Sequence, residues 1–370
     1  MKRMLVVSPT AKAGGAERAL ARLTRHLPSK CFRPLVALLE PGPLEAWLTA
    51  VDCEVVLRRA EDRRTPVEWV HDLVLESKSD LVLSNKWEGQ LVGGPAADAA
   101  GLPAVWWQQD IARENPDELR AASLPAAAIV CSSDHAVAAQ RSFVPDARIE
   151  KIHLGVPVAE IAARRGSGAL LRRSFGGEAS SLVGIVGRLE RWKGQEVFLH
   201  AASLVAEDQP HVRFAVIGGA LLGGEGTYPD DLRRLARELG LADRVRFTGH
   251  QDDPYPWFDA LDVAVHASRA EPFGLVVVEA MALGKALVAT VPGGPAEIVE
   301  DGVSGLLVPF GEAELLAAEI IHILGDRVLA ARLGEAASRR AWLFSEERMA
   351  NRFSALLEDV LAVCGRSARS

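Results

Sequence analysis

The sequence contains few cysteines and lacks any long apolar run. Four cysteines occur in 370 residues, and none forms a C-x-x-C pair, so the sequence predicts no disulfide framework and favours a reducing compartment. A membrane span needs about 20 apolar residues, whereas the most hydrophobic segment, GLVVVEAMALGKALVATV, is interrupted by Glu279 and Lys285. The apolar stretch after Met4 ends at Ser8, which is too short for a signal peptide. We therefore expect a cytoplasmic protein.

Basic residues are outnumbered by acidic ones. The chain has 42 Lys and Arg against 49 Asp and Glu, a net charge of -7, which argues against a nucleic-acid partner. Residues 1–35 are the exception, because this segment contains eight Lys or Arg residues and only one acidic residue, Glu17. One interpretation is peripheral contact of this basic N-terminal region with the inner face of a membrane. The other is an ordinary solvated helix face.

Short β-rich runs alternate with helical patterns along the whole chain, which is typical of parallel α/β sheets. A polar and glycine-rich segment after Ile152 interrupts this alternation, which restarts near Ser181. We therefore predict an N-terminal domain at 1–155, a linker region at 156–180, a second domain at 181–340 and a final helix at 341–370 that packs back toward the N-terminal domain. The predicted strands are 4–8, 34–39, 53–57, 80–84, 104–108, 128–132, 181–187, 212–218, 244–249, 263–267, 286–290 and 305–309.

A dinucleotide fingerprint, G-x-G-x-x-G, is missing after the first predicted strand, and this disfavours a dehydrogenase. The sequence there is SPTAKAGGAERA, in which Gly14 and Gly15 open a helix. Glycine amides at that point let the backbone approach an anion or a reacting sugar. Equally, the two glycines form a tight turn and nothing more.

Two cationic side chains follow the first strand of the second domain, in the segment GRLERWKG. Arg188 and Lys193 are suited to hold a diphosphate, because a guanidinium makes forked contacts with phosphate and an ammonium acts as a point charge. The alternative is a pair of solvated surface charges, which is the usual situation of Arg and Lys.

Two carboxylates frame the start of a predicted helix in SRAEPFGLVVVEAMALGKALVAT. If that helix begins near Gly274, its N-terminus attracts an anion, and Glu279 lies about 7 Å further along the axis. Glu271 then precedes the phosphate site and Glu279 follows it, which suits a nucleotide sugar with hydroxyls on both sides of a diphosphate. The alternative is a capping role for Glu271 and a salt bridge for Glu279.

These motifs together resemble the retaining glycosyltransferases of family 4, also called glycosyl transferases group 1. The resemblance rests on the E-x7-E pair, with G-R-L-x3-K-G upstream and G-G-x-A-E downstream. It is strongest over 182–308 and weaker in GG-A-E, AIVCSSDHAVAAQRS and KIHLGV. It implies the α/β GT-B fold, in which two facing Rossmann-like domains with parallel sheets enclose a deep cleft.

The resemblance also implies roles for individual residues. Arg188 and Lys193 match the pair that grips the donor diphosphate, Glu271 matches the acid that contacts the donor sugar, and Glu279 matches the acid that holds the ribose. We place Arg188, Lys193 and Glu271 as the catalytic set. The other positions implied to bind the donor are Gly15, Gln109, His250, Gln251, Phe273, Gly274, Leu275 and Gly294. Asp252 and Asp253 are interpreted as a turn or a cap.

The sequence lacks two features that occur in other glycosyltransferases, a metal-binding D-x-D motif and a histidine near the donor sugar. No D-x-D occurs in the chain, so no metal and no cofactor are expected beyond the donor itself. Many family members have a histidine near the donor sugar where this sequence has Gln108 and Gln109, and a glutamine cannot act as a general base. Trp106 and Trp107 either stack on an acceptor or fill the core.

The predicted function is metal-independent retaining transfer of a hexosyl group from a nucleotide-diphosphate sugar to the hydroxyl of a glycan, lipid-linked or small-molecule acceptor. We expect front-face attack, because no carboxylate of the N-terminal domain is an obvious nucleophile. The alternatives are an epimerase or hydrolase acting on nucleotide sugars and a non-catalytic module that binds them.

Overall fold

In a computed structural model, the chain divides into two compact units. One comprises Met1–Val156 with Phe344–Ser370, and the other comprises Pro157–Leu343. The structure describes residues 1–175, 180–220 and 226–367, without the side chains of 366 and 367. All strand pairs between the named strands of both sheets are parallel, which confirms the predicted α/β class.

The first unit has a seven-stranded sheet in the order β3-β2-β1-β4-β5-β6-β7. Its strands β1 to β7 are Lys2–Ser8, Phe32–Leu38, Glu54–Leu57, Leu81–Asn85, Ala104–Trp107, Ala128–Cys131 and Ile149–Lys151. Its helices α1 to α6 are Gly15–His26, Pro43–Thr49, Pro66–Ser77, Lys86–Ala99, Pro116–Ala122 and Asp134–Phe143.

The second unit has a six-stranded sheet in the order β10-β9-β8-β11-β12-β13. Its strands β8 to β13 are Leu182–Val186, Arg213–Ile217, Val245–Phe247, Val263–His266, Ala286–Val291 and Leu306–Pro309. Its helices α7 to α15 are Val158–Ala162, Ala169–Arg173, Gln195–Asp208, Tyr228–Glu238, Tyr255–Ala260, Leu275–Ala282, Pro295–Ile298, Ala313–Gly325 and Arg327–Ala341. The predicted linker, 156–180, thus contains α7 and α8, and its positions 176–179 lie outside the described residues.

The central strands of both sheets are apolar throughout because helices cover both faces. Met4, Leu5, Val6 and Val7 of β1 have no exposed surface. In the second unit, the buried core joins strand residues such as Val183 to side chains of α9, α10 and α14. Burial on both faces explains why these strands could be recognised as short continuous apolar runs.

Each sheet reverses its strand order at one point. In the first, β1 lies between β2 and β4, and in the second, β8 lies between β9 and β11. Loops that leave the carboxyl ends of two strands flanking such a reversal diverge in opposite directions and leave a crevice for ligands. The segments that follow β1, β4, β8 and β11 therefore occupy the positions where binding chemistry is expected.

Every predicted strand is present, and one strand was missed. β7, Ile149–Lys151, pairs with β6 at the edge of the first sheet. Its three residues are only half-buried, and Glu150 and Lys151 are charged. An edge strand this short carries no apolar run, so the sequence pattern gave no signal for it.

The final helix, α16, spans Glu346–Ser367 and begins later than the predicted Ala341. A 3₁₀ turn at Trp342–Phe344 separates it from α15, and Ser345 starts it by accepting from Arg348 N through Oγ and from Met349 N through its carbonyl. The helix packs against α1 within the first unit. Phe353 meets the ring of Trp107 edge-on at 4.6 Å between centroids.

Several basic side chains of residues 1–35 have acidic partners within the first unit. Lys2 pairs with Asp80 at 2.8 Å, Arg3 pairs with Glu54 at 2.9 Å, and Arg25 lies 3.8 Å from Glu346. These contacts neutralise part of the basic cluster, so membrane contact stays a prediction. Among the helices of the described ranges, none combines the length and apolarity that crossing a bilayer requires.

Candidate active site at the carboxyl ends of β8 and β11

The two neighbouring strands at the reversal point of the second sheet bring Lys193 and Glu271 together. β8 and β11 pair directly, with Ile185 opposite Val265. The loop after β8 carries Lys193, and the loop after β11 carries Glu271, so residues 78 positions apart in the chain meet at one edge of the sheet. Lys193 Nζ donates to Glu271 Oε2 at 2.6 Å.

Gly194 sets the path of the first loop. Residues Arg191–Lys193 form a 3₁₀ turn, and Gly194 follows in the left-handed region with φ of +71°. A Cβ at this position would lie 1.9 Å from the carbonyl oxygen of Ala267, in the loop after β11. The two loops can approach this closely only because residue 194 is glycine. Lys193 is thereby held against the second loop.

Glu271 is buried and accepts three hydrogen bonds on one oxygen. Besides Lys193, its Oε2 lies 3.2 Å from His266 Nε2 and 3.1 Å from Ser268 Oγ. Burial by itself raises the pKa of this carboxyl, but the positive charge of Lys193 and the hydrogen bond from His266 outweigh it. The pKa of Glu271 is therefore held well below its usual range, and the group is a carboxylate at neutral pH.

This depressed pKa predicts an acid-sensitive contribution to stability. A carboxyl whose pKa is lower in the folded than in the unfolded state stabilises the fold above its unfolded value, about 4.3, and loses that contribution as the pH falls. We expect the difference in unfolding free energy between wild type and Glu271→Gln, from urea titrations, to be largest near pH 7. It should shrink as the pH is lowered below about 4. A difference that stays constant over this range would contradict the assignment.

Arg188, the other predicted cation, pairs with a different acid. Its guanidinium lies 3.0 Å from Glu190, whose second oxygen accepts from Trp192 Nε1 at 2.7 Å. The Arg188 carbonyl accepts from Gln195 Nε2 at 2.7 Å, which fixes the backbone while 41% of the side chain stays exposed. Arg188 is thus positioned on the same loop as Lys193 and remains accessible to an anion.

The helix predicted near Gly274 is confirmed. α12 begins at Leu275, and its N-cap is Gly274, with φ of +111°. Phe273 is buried, and Glu279 lies in the second turn of the helix with 8% of its surface exposed. The structure therefore keeps Glu271 and Glu279 on opposite sides of the start of the helix, as the spacing indicated.

The glycine pair after β12 packs against this segment. Gly294 N donates to the Glu271 carbonyl at 2.8 Å. A Cβ on Gly293 would lie 2.6 Å from that same oxygen, and one on Gly294 would lie 2.1 Å from the Phe273 carbonyl oxygen. These contacts explain both glycines by packing, and the donor-binding role of Gly294 stays a prediction.

The residues predicted near the nucleobase are tied into their own loop. Gln251 donates to the Thr248 carbonyl at 3.1 Å and accepts from Trp257 Nε1 at 2.9 Å. His250 is exposed and lies 3.3 Å from Asp252. Asp253 accepts from Tyr255 N at the start of α11, a local contact that is typical of a turn and fits its interpretation as a turn or a cap. Contact of His250 and Gln251 with a base stays a prediction.

In the first unit, Gln109 is held beside the Gly14-Gly15 turn. Its Nε2 donates to Asn85 Oδ1 at 2.5 Å and to the Ala16 carbonyl at 3.2 Å. Its Oε1 is buried and has no hydrogen-bond partner in the described part of the chain. Gln109 and Gly15 are thus neighbours through Ala16, although the sequence placed them in separate motifs. Asn85, at the end of β4, was missed.

Trp106 and Trp107 are core residues. Both side chains are at most 1% exposed, so neither can stack on an acceptor as placed, and the alternative of core filling is correct. His266 and Ser268 were also missed as site residues. They belong to the segment HASRAE, and their position directly before Glu271 at the end of a predicted strand was the available signal.

Comparison with known proteins places this chain in a family. The family described as Glycosyl transferases group 1 matches residues 172–340. D-inositol 3-phosphate glycosyltransferase of Salinispora arenicola is 30% identical over 313 residues, which cover 77% of this chain and 70% of that protein. The enzyme of the same name from Mycolicibacterium vanbaalenii is 34% identical over 254 residues, which cover 62% of this chain and 56% of that protein.

A solved structure resembles the whole chain. HepE (Alr3699) of Anabaena, in complex with UDP and glucose, superposes with a TM-score of 0.87 at 27% identity, covering 97% of this chain and 100% of that one. This likeness confirms the GT-B fold class. Because the chain covers 70% of a relative to which it is 30% identical, and the family match spans the loops that carry Lys193 and Glu271, the chain belongs to the glycosyl transferases group 1.

Proposed function

We propose that this chain transfers a hexosyl group from a UDP-sugar to an acceptor hydroxyl, with retention of configuration and without a metal ion. The observation that carries the proposal is the pairing of Lys193 with a buried, ionised Glu271 at the reversal point of the second sheet. A cation and a carboxylate side by side match a ligand in which a diphosphate is joined to a polyhydroxyl sugar.

The second unit would bind the donor. Arg188 and Lys193 would hold the diphosphate, and the backbone amides of Phe273, Gly274 and Leu275, at the start of α12, would supply further donors. Glu271 would accept from sugar hydroxyls. Glu279, which follows in the second turn of α12, would accept from the ribose.

The first unit would bind the acceptor. In the proposed reaction, the bond between the anomeric carbon and the diphosphate oxygen breaks, and the acceptor oxygen bonds to that carbon on the same face. The acceptor proton passes to the departing diphosphate oxygen, so no side chain has to act as a base. Arg188 and Lys193 would stabilise the negative charge that develops on the leaving group, a task that Mg²⁺ performs elsewhere.

The choice of a UDP-sugar follows from similarity. HepE, whose structure contains UDP and glucose, aligns along 97% of this chain. Retention and metal independence are supported by the family resemblance and by a sequence without D-x-D. We further propose a cytoplasmic location and contact of the basic N-terminal region with the inner face of a membrane. Identifying the acceptor as lipid-linked or water-soluble would test the membrane contact.

A thermal-shift screen against UDP-, GDP-, ADP- and TDP-glucose tests the donor. A ligand that binds only the folded state stabilises it by about 2.7 kcal/mol at one hundred times its dissociation constant, so UDP-glucose should raise the melting temperature by several degrees. Lys193→Met should remove this shift, whereas Lys78→Met, on the surface of the first unit, should retain it. A shift with another nucleotide and none with UDP-glucose would overturn the choice of donor.

Product analysis separates the proposed reaction from its rivals. Transfer predicts a new glycoside that forms only when acceptor is present. An epimerase or hydrolase would change or release the sugar without acceptor, and a non-catalytic module would bind the donor without consuming it.

A further inference from the structure

His266 makes its side-chain hydrogen bond to Glu271. The ring is 6% exposed, and its Nε2 lies 3.2 Å from Glu271 Oε2. We propose that His266 is a positioning residue, which holds the Glu271 carboxylate in the orientation that recognises the donor sugar. This inference rests on the proposed function, and it concerns a residue that touches Glu271 rather than the donor.

The contact fixes which nitrogen of His266 carries a proton. A carboxylate only accepts hydrogen bonds, so Nε2 must donate, and the neutral ring then has its lone pair on Nδ1. Nδ1 is buried and has no partner among the described residues. The ring lines a small apolar cavity beside Val186, Val265 and Ala280. Glu271 is therefore the polar side-chain partner that the described residues provide for this ring.

All three donors around Glu271 use the same oxygen. Lys193, His266 and Ser268 each contact Oε2, and no side-chain hydrogen bond to Oε1 is found within the described ranges. Oε1 offers about two lone pairs of its own, and none of the three donors uses them. Oε1 is therefore the oxygen that can accept from hydroxyl groups of a sugar. The three donors to Oε2 determine where Oε1 points.

Donor binding should weaken the contact between Lys193 and Glu271 and make the other two contacts of Glu271 more important. Lys193 is also the side chain proposed to hold the diphosphate, so in the donor complex its charge is shared with or transferred to phosphate. Glu271 then depends on His266 and Ser268 for its orientation. Ser268 is fixed in turn, because its carbonyl accepts from Thr290 Oγ1 at 2.7 Å. The importance of His266 should thus appear when a sugar and a diphosphate are bound together.

The test compares UDP, which lacks the sugar, with UDP-glucose. Dissociation constants for both ligands would be measured by calorimetry for wild type, His266→Leu and His266→Gln, with the exposed His200→Gln as a control for histidine replacement. In wild type, UDP-glucose should bind more tightly than UDP. His266→Leu should reduce that advantage about tenfold while UDP affinity changes little, because a hydrogen bond to a charged group is lost. His266→Gln should restore most of it, since the amide can donate from a similar position.

The outcomes separate this inference from the proposed function. If His266→Leu retains the wild-type advantage of UDP-glucose over UDP, His266 has no positioning role. If wild type binds neither ligand, the proposed donor is wrong. If His266→Leu does not fold, His266→Met provides an apolar side chain without a donor, and the same comparison applies to it. Equal loss of affinity for UDP and UDP-glucose would indicate a purely structural role and would overturn the inference.

Discussion

Glu271→Gln is expected to lower the rate of sugar transfer by a factor of about 10²–10³, the size of loss that follows when one hydrogen-bonding group that stabilises a transition state is removed. The amide oxygen can still accept from Lys193 and His266, so the fold should be retained. However, the amide lacks the negative charge that we assign to sugar recognition. Initial rates with UDP-glucose and a hydroxyl acceptor, together with a circular dichroism spectrum, would measure both properties.

Glu300→Gln is the matched control for this variant. Glu300 belongs to the same unit, and its carboxylate is 59% exposed and lies 3.5 Å from Arg340. Surface pairs of this kind contribute little, so transfer should proceed at the wild-type rate. If Glu271→Gln also transferred sugar at the wild-type rate, the carboxylate of Glu271 would have no part in the reaction.

Gly194→Ala should destabilise the second unit and weaken donor binding together. The left-handed backbone alone costs a non-glycine residue about 1–2 kcal/mol. In addition, the new Cβ would lie 1.9 Å from the Ala267 carbonyl oxygen, so the loops after β8 and β11 must separate. We expect a total loss of about 2–5 kcal/mol of unfolding free energy. Since Lys193 is the adjacent residue, affinity for UDP-glucose should fall as well.

Gly240→Ala separates backbone strain from the steric contact. Gly240 has nearly the same φ, +70°, but a Cβ added there would meet no atom of the described residues within 4 Å. Its substitution should therefore cost only the backbone term of about 1–2 kcal/mol and leave donor binding unchanged. Urea unfolding and calorimetry on both variants give the comparison. Equal losses for the two would mean that the approach of residue 194 to Ala267 is unimportant.

The strands and the cationic loop could be predicted from the sequence because their signals are local. Strands buried on both faces read as apolar runs, and the start of α12 follows from Gly274. The edge strand Ile149–Lys151 gave no such signal, because its pairing with β6 is decided by the sheet and not by its own residues.

Contacts between side chains of different loops could not be predicted from the sequence. The sequence assigned Lys193 to a diphosphate and Glu271 to a sugar, but their direct contact depends on β8 and β11 being neighbours. The role of His266 depends on the direction of one side chain at the end of β11. Period-2 alternation cannot decide this for a strand that is buried on both faces. Gln109 was recognised only as a departure from a family histidine, and its bond to Asn85 required the pairing of β4 with β5.

The order of the two units along the chain determines which of them can be completed first during synthesis. The second unit is one uninterrupted segment, Pro157–Leu343, whereas the first is assembled from the segments that precede and follow it, Met1–Val156 and Phe344–Ser370. During synthesis, the N-terminal sheet must therefore wait until the whole second unit and then α16 have left the ribosome before Phe353 can cover Trp107. A nonsense mutation just before the codons for α16 would consequently damage the first unit, although most of that unit is encoded before the second one.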